Sequence, residues 1–386
     1  MASSRNGNTA NTDNVVHTHR AEIEAVQTVP PSKITAPRTV RQVLSMSDVS
    51  GVSGGCLNVV LYYNKASDQG DSGSLHAGWI KESLAGALSE QPLLAGRLQK
   101  GEINDNNIVD EEAKNIVNVV SNDAGVRLIE ARIGATMVEF LLETSMRKEA
   151  EAELVFWKHI DQVDPQFCPL FYVQVTKFEC GGYSFGISCS LILADLFLKE
   201  NFLKRWVDIH RNLLSKHEIP KTPLFYLPNL KKDVSLINAD IISSSPTRDS
   251  GKTMIFNIVS AKQYHVYSVE DLNTLARLSV EEAESELGTK FGPDFHLMSV
   301  SEPENVIKIE KCSKHVIKPK ISVQNRIDSA SWGDFGANEL EFRKGNRALC
   351  VSYWIGSVSD ELVVAIPYWS IDHGVFGLKM IIGVPQ

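Results

Sequence analysis

Two strand-forming runs, 171–178 and 183–189, are separated only by a short stretch that holds Cys180, Gly181 and Gly182. β-Branched and aromatic residues at this density favour a pleated, buried surface, and the glycine pair permits the tight reversal of a hairpin. Residues 192–214 follow directly, with Leu196, Leu203, Trp206 and Ile209 recurring at helical spacing. A hairpin that hands over at once to an amphipathic helix needs a sheet around it, and the helix needs a sheet face to cover.

The rest of the chain repeats this alternation. Strands are expected at 21–29, 57–63, 117–120, 126–131, 253–258, 306–309, 348–355, 362–366 and 378–384, and helices at 76–88 and 269–287. In the first helix Trp79, Ile80, Leu84 and Leu88 share one face. The stretch 101–114 reads as an acidic surface turn. Residues 1–17, rich in Ser, Asn and Thr, read as a disordered tail. Residues 18–214 and 253–386 form two halves, joined by a proline-rich crossover at 215–252. The fold class expected is α/β with mixed sheets in two domains.

Charge and cysteine usage exclude several functions. With 386 residues the chain is long enough for about two domains. A net charge of −8 and the lack of a basic block argue against nucleic-acid binding. No run of 18 apolar residues is present, so no spanning helix is expected. The six cysteines have no Cys-x-x-Cys pairing and no histidines at zinc spacing, so no metal site is expected. Cys168, Cys180 and Cys189 lie in apolar segments and read as buried free thiols, which fits a reduced, cytoplasmic setting.

Four stretches carry a resemblance. These are Pro92-Leu93-Leu94-Ala95-Gly96-Arg97-Leu98, the run from Asn122 to Ala131, the run from Pro169 to Asp195, and Ser331-Trp332 with the run from Tyr353 to Val384. Together they resemble the plant BAHD acyltransferases, which transfer acyl groups from acyl-CoA to alcohols or amines. The resemblance implies the two-domain architecture shared with chloramphenicol acetyltransferase. It also implies a monomer, with acyl-CoA as co-substrate and no bound cofactor. The block between Ile258 and Ser331 looks shortened against the family, which implies a shortened second domain.

The family's His-x-x-x-Asp motif would fall at 191–195. Asp195 is kept, but Leu191 stands where the histidine would act as general base. Leucine has no lone pair and cannot accept a proton, and a general base contributes about 10²- to 10⁴-fold. The resemblance gives Asp195 a structural role in an ion pair, for which Arg97, Arg205 and Arg347 are candidates. The family's Asp-Phe-Gly-Trp-Gly signature fits either Asp334-Phe335-Gly336-Ala337-Asn338 or, by spacing from Ser331-Trp332, Glu341-Phe342-Arg343-Lys344-Gly345. The second is preferred, which makes Trp332, Phe342 and Gly345 structural. Either way the signature tryptophan is missing.

Rescue of catalysis would need another group. His373, beside Asp372, and Cys189, two residues before Leu191, are the candidates. A reactive cysteine needs a lowered pKa, and the blander reading of Cys189 is a packing thiol. All ten histidines read most simply as surface or loop residues. Arg343 and Lys344 could meet a CoA phosphate, with an exposed charge pair as the plainer account.

Two functions follow. The first is an accessory or binding protein that has lost acyl transfer and takes an acyl-CoA or other small-molecule ligand. It would act beside a partner enzyme, as members of the family in wax and very-long-chain fatty-acid metabolism do. The second is an active non-standard enzyme: a weak acyltransferase, or a lyase or cyclase working in the interdomain channel.

Overall fold

The computed structural model describes residues 19–45, 54–65, 73–100, 115–198, 201–215, 252–259, 268–301, 305–314, 326–330, 336, 339–358, 361–370 and 375–384. The expected tail at 1–17, the turn at 101–114 and nearly all of the crossover at 215–252 lie outside the described residues.

The strands are β1 (Glu22–Val29), β2 (Val40–Ser45), β3 (Cys56–Tyr63), β4 (Arg97–Lys100), β5 (Asn115–Val120), β6 (Val126–Ile133), β7 (Phe171–Phe178), β8 (Tyr183–Ser190), β9 (Lys252–Val259), β10 (Asp294–Ser301), β11 (Val306–Ser313), β12 (Arg326–Ala330), β13 (Cys350–Gly356), β14 (Leu362–Ser370) and β15 (Val375–Val384). The helices are α1 (Gly73–Glu90), α2 (Met137–Met146), α3 (Ala194–Leu198), α4 (Phe202–Ser215) and α5 (Val269–Leu287).

A six-stranded sheet runs β1-β6-β7-β8-β3-β13, and a nine-stranded sheet runs β12-β9-β15-β14-β10-β11-β2-β5-β4. Both are mixed: β6 pairs parallel with β7, and β10 with β14 and β11 with β2 are parallel pairs too. The expected hairpin is present as β7 and β8, paired antiparallel from Phe171↔Cys189 to Lys177↔Tyr183. Each sheet takes in strands from the other half of the chain. β13 joins the six-stranded sheet beside β3, and β2, β5 and β4 extend the nine-stranded sheet beyond β11.

Burial follows the alternation along each strand. Leu57, Val59, Leu61, Phe185, Ile187, Val173 and Val175 form the face of the six-stranded sheet that joins Ile80, Leu84, Leu88, Leu203 and Trp206 of α1 and α4 in one apolar cluster. The expected stripe on α1 is buried. On the nine-stranded sheet Phe256, Phe295, Leu297, Val363 and Met380 pack with Leu275, Ala276, Val280 and Ala283 of α5. That helix starts on a capping box, in which Ser268 accepts from the Asp271 N–H and Asp271 receives the Ser268 N–H, and it ends at Gly288 in the left-handed region.

The single helix expected over 192–214 is instead three pieces. A 3₁₀ turn at Leu191–Leu193 leads into α3, and α4 begins only at Phe202. Asn201 has φ 55, a left-handed conformation that a continuing right-handed helix does not admit. Apolar periodicity runs through the break because α3 and α4 bury against the same core, so spacing alone did not reveal it.

Candidate functional site

The turn after β8 is held by backbone contacts on both sides. The Ser190 N–H donates to the Leu170 carbonyl at 2.8 Å, and the Leu191 N–H to the Gly55 carbonyl at 3.1 Å. Leu191 therefore sits at the end of the hairpin, at the position inferred for a general base. Its side chain is 2% exposed. It belongs to a contiguous apolar cluster that contains Cys189 and Leu57 from the six-stranded sheet and Met298, Ile307, Ile309, Val364 and Ile381 from the nine-stranded one. An aliphatic group at this point completes a seam of hydrocarbon between the sheets.

Asp195 is 6% exposed and is paired, but with none of the three arginines named from the sequence. Its partner is Arg41 on β2, 1% exposed. Arg41 Nη1 donates to Asp195 Oδ1 and Nη2 to Oδ2, each at 2.7 Å, a bidentate fork. The same guanidinium donates to the Ile192 carbonyl at 3.2 Å and through Nε to Asn305 Oδ1 at 2.8 Å. Arg41 and Asn305 belong to the nine-stranded sheet and its β10–β11 turn, whereas Asp195 follows the six-stranded sheet, so this node ties the two sheets beside Leu191. The three candidates are engaged elsewhere. Arg97 donates to the Gly96 and Ala124 carbonyls, Arg205 pairs with Glu90 at 2.7 Å, and Arg347 pairs with Glu341 at 2.8 Å. Arg41 escaped notice because the residues around it are polar or small, so nothing in the local pattern marks it as buried.

Cys189 is fully buried among apolar side chains. Burial raises its thiol pKa well above the ordinary value, and the nearby Asp195 carboxylate raises it further. Such a thiol is held neutral, the reverse of what a nucleophile needs. Across β3, Cys56 is likewise buried, and desolvation pushes its thiol up to about 12 against the hydrogen bond from Asn58. Ser188 donates to Asn58 Oδ1 at 2.6 Å, and an amide does not act as a base at neutral pH. Cys168 and Cys180 are not buried thiols as expected: Cys180 is exposed at the hairpin turn and Cys168 is half-buried. All six cysteines are free. Treating the native protein with iodoacetamide at pH 8 will modify Cys180 and leave Cys56 and Cys189 untouched, as read by peptide mass mapping. Labelling of Cys189 before unfolding would show that the hydrocarbon seam is open.

His373, Asp372 and Trp332 lie outside the described residues, as does the Asp334–Asn338 alternative apart from Gly336. Two histidines depart from the expected surface placement. His210 on α4 is fully buried with Nδ1 3.0 Å from Ser83 Oγ, and His296 on β10 is buried as well.

The preferred alternative for the signature forms an ordered turn. Phe342 is fully buried, with its ring centroid 4.5 Å from that of Phe185, 5.1 Å from Trp206 and 5.5 Å from His210. Gly345 has φ 78, where a side chain would be strained, and its N–H donates to Glu341 at 3.1 Å. The hydrogen bond from Arg347, followed by that from the Gly345 N–H, holds the Glu341 carboxyl below its usual range. Asn346 fastens the turn to the six-stranded sheet by donating to the Asn64 carbonyl at 3.1 Å and to the Tyr183 hydroxyl at 3.3 Å. Arg343 and Lys344 line an open groove of about 930 Å³ against the last turns of α4. No helix among the described residues is long and apolar enough to cross a membrane.

Comparison with known proteins agrees with this architecture. Protein ECERIFERUM 2 of Arabidopsis thaliana is 33% identical over 142 residues, 36% of this chain and 32% of that protein. Taxadien-5-alpha-ol O-acetyltransferase of Taxus chinensis is 28% identical over 183 residues, 47% of this chain and 38% of that protein. The chain thus spans little more than a third of these relatives' own length. The crystal structure of vinorine synthase matches over 95% of both chains at 14% identity with a TM-score of 0.41, from which no residue correspondence follows. A family model described as the transferase family matches residues 20–293. Plant acyltransferases stand among the matched relatives, and with well over half of the chain matched, this protein belongs to the transferase family of BAHD acyltransferases.

Proposed function

We propose that this chain is a BAHD-family protein that has given up acyl transfer by a general base and serves as an accessory or binding protein for an acyl-CoA or other small-molecule ligand. The observation that carries this reading is Leu191, an aliphatic side chain at the position inferred for the base and closed off inside an apolar cluster. Hydrocarbon there neither accepts a proton nor leaves room for a polar acceptor to be deprotonated. The bidentate Arg41–Asp195 pair beside it supports a scaffold that has been kept. Proximity and electrostatic stabilisation can survive loss of a base, so residual turnover is compatible with the proposal.

Relatives named ECERIFERUM proteins and relatives named acyltransferases match at similar identity. A role beside a partner enzyme in plant wax or specialised metabolism, in a reducing, cytoplasmic setting and as a monomer, belongs to the same proposal. The acyltransferase names favour the second reading, an active non-standard enzyme. Steady-state assay of the purified chain with acyl-CoA donors and alcohol or amine acceptors separates the two. Turnover at least about 10²-fold below that of a histidine-bearing relative is expected. Turnover equal to such a relative would overturn the proposal, and Cys189→Ala and His373→Ala variants would then locate the responsible group.

A further inference from the structure

The groove beside the Glu341–Arg347 turn has a charge that the rest of the chain does not share. Four cationic side chains line it, Arg205 and Arg211 from α4 and Arg343 and Lys344 from the turn, against one anionic side chain, Asp208. The chain as a whole carries −8, so this is a local reversal of sign. Two carboxylates near these cations are already engaged: Glu90 pairs with Arg205, and Glu341 accepts from Arg347 and the Gly345 N–H. The carbonyls at the C-terminal end of α4 favour nearby cations and would account for Arg211. They do not account for Arg343 and Lys344, which arrive from a different element.

Both walls are rigid where it matters. Phe342 is locked among Phe185, Trp206 and His210, so the residues following it are presented from a fixed point. Planar guanidinium forks suit the tetrahedral oxygens of a phosphate, which they meet bidentately. A volume of about 930 Å³ exceeds what an inorganic ion fills and falls in the range of small-molecule sites. None of the residues at the Leu191 turn lines this groove.

We propose that the groove between the end of α4 and the Glu341–Arg347 turn is a binding site for a phosphate-bearing small molecule of about nucleotide size. It stands independently of the reading given for Leu191. The phosphate sits among Arg211, Arg343 and Lys344, and the remainder of the ligand occupies the open volume toward Arg205.

Isothermal titration of the full chain with inorganic pyrophosphate and, separately, with ATP, at matched ionic strength and without divalent metal, tests it. Saturable binding is expected, and the Arg343→Ala/Lys344→Ala double variant and the Arg211→Gln variant should each raise Kd by about tenfold or more. Lys311→Ala, which alters an exposed pair with Asp294 on β11, should leave Kd unchanged. Thermal unfolding of each variant at the wild-type temperature shows that lost binding is not lost folding. Tighter binding of ATP than of pyrophosphate assigns part of the contact to the nucleoside, and equal binding assigns it all to phosphate. No saturable heat with either probe overturns the proposal, as do undiminished binding in the double variant and binding of poly-glutamate alone.

Discussion

Arg41→Met will cost about 3–5 kcal/mol of unfolding free energy, because it leaves the Asp195 carboxylate buried without its counter-charge. The guanidinium makes two 2.7 Å bonds to that carboxylate and also reaches the Ile192 carbonyl and Asn305. Methionine of similar length replaces none of them. Urea unfolding followed by circular dichroism gives the loss directly. Arg205→Ala provides the contrast: its pair with Glu90 is exposed on both sides, and such pairs are worth about 0–1 kcal/mol. The double variant Arg41→Met/Asp195→Leu should recover part of the loss, since replacing both buried charges by apolar groups removes the uncompensated one. A loss below about 1 kcal/mol in Arg41→Met would mean that this pair does not tie the sheets together.

Gly186→Ala should be the most damaging small substitution in the chain's first half. A Cβ at this position on β8 would fall 1.7 Å from the Leu154 carbonyl oxygen and 2.7 Å from its carbon. Those are backbone atoms and cannot rotate aside, so either the sheet or the segment through Leu154–Trp157 must move. Phe156 and Trp157 pack on the sheet against Tyr172 just beyond that contact, so the movement spreads. A loss of more than about 4 kcal/mol is expected, read as a lowered urea midpoint or as failure to accumulate soluble protein. Gly288→Ala, at φ 66 but in open space, should cost only about 1–2 kcal/mol from its left-handed backbone. Comparable losses at the two positions would contradict the close approach at Gly186.

The part of the site that was legible from residues is the hairpin and the turn after it. Its strands are marked by composition, its reversal by glycines, and Leu191 and Asp195 by their spacing from the last strand. The helix after the turn was legible as a buried stripe but not as three pieces. Breaking it takes one backbone angle at Asn201, and a polar residue on a helix surface looks the same in sequence whether or not it turns the chain. β2, β4, β10 and β12 were not seen, since their alternation is short or interrupted by charge. The buried Arg41 is the plainest case: one arginine among polar neighbours reads as solvent-facing until a strand from the other sheet is placed beside it.

The groove cations show the same division. Arg343 and Lys344 stood out as a neighbouring pair, but Arg205 and Arg211 lie more than 130 positions away and read as the polar side of a helix. Local pattern by itself determined the family, the mixed α/β class, the hairpin and the missing base, because each rests on residues close together in the chain. The tertiary structure alone decided which arginine neutralises Asp195, that Leu191 is sealed in hydrocarbon, and that four distant cations face one space. These depend on strands and helices brought together from opposite halves, and pairing at long range leaves no periodic trace in the residues that take part.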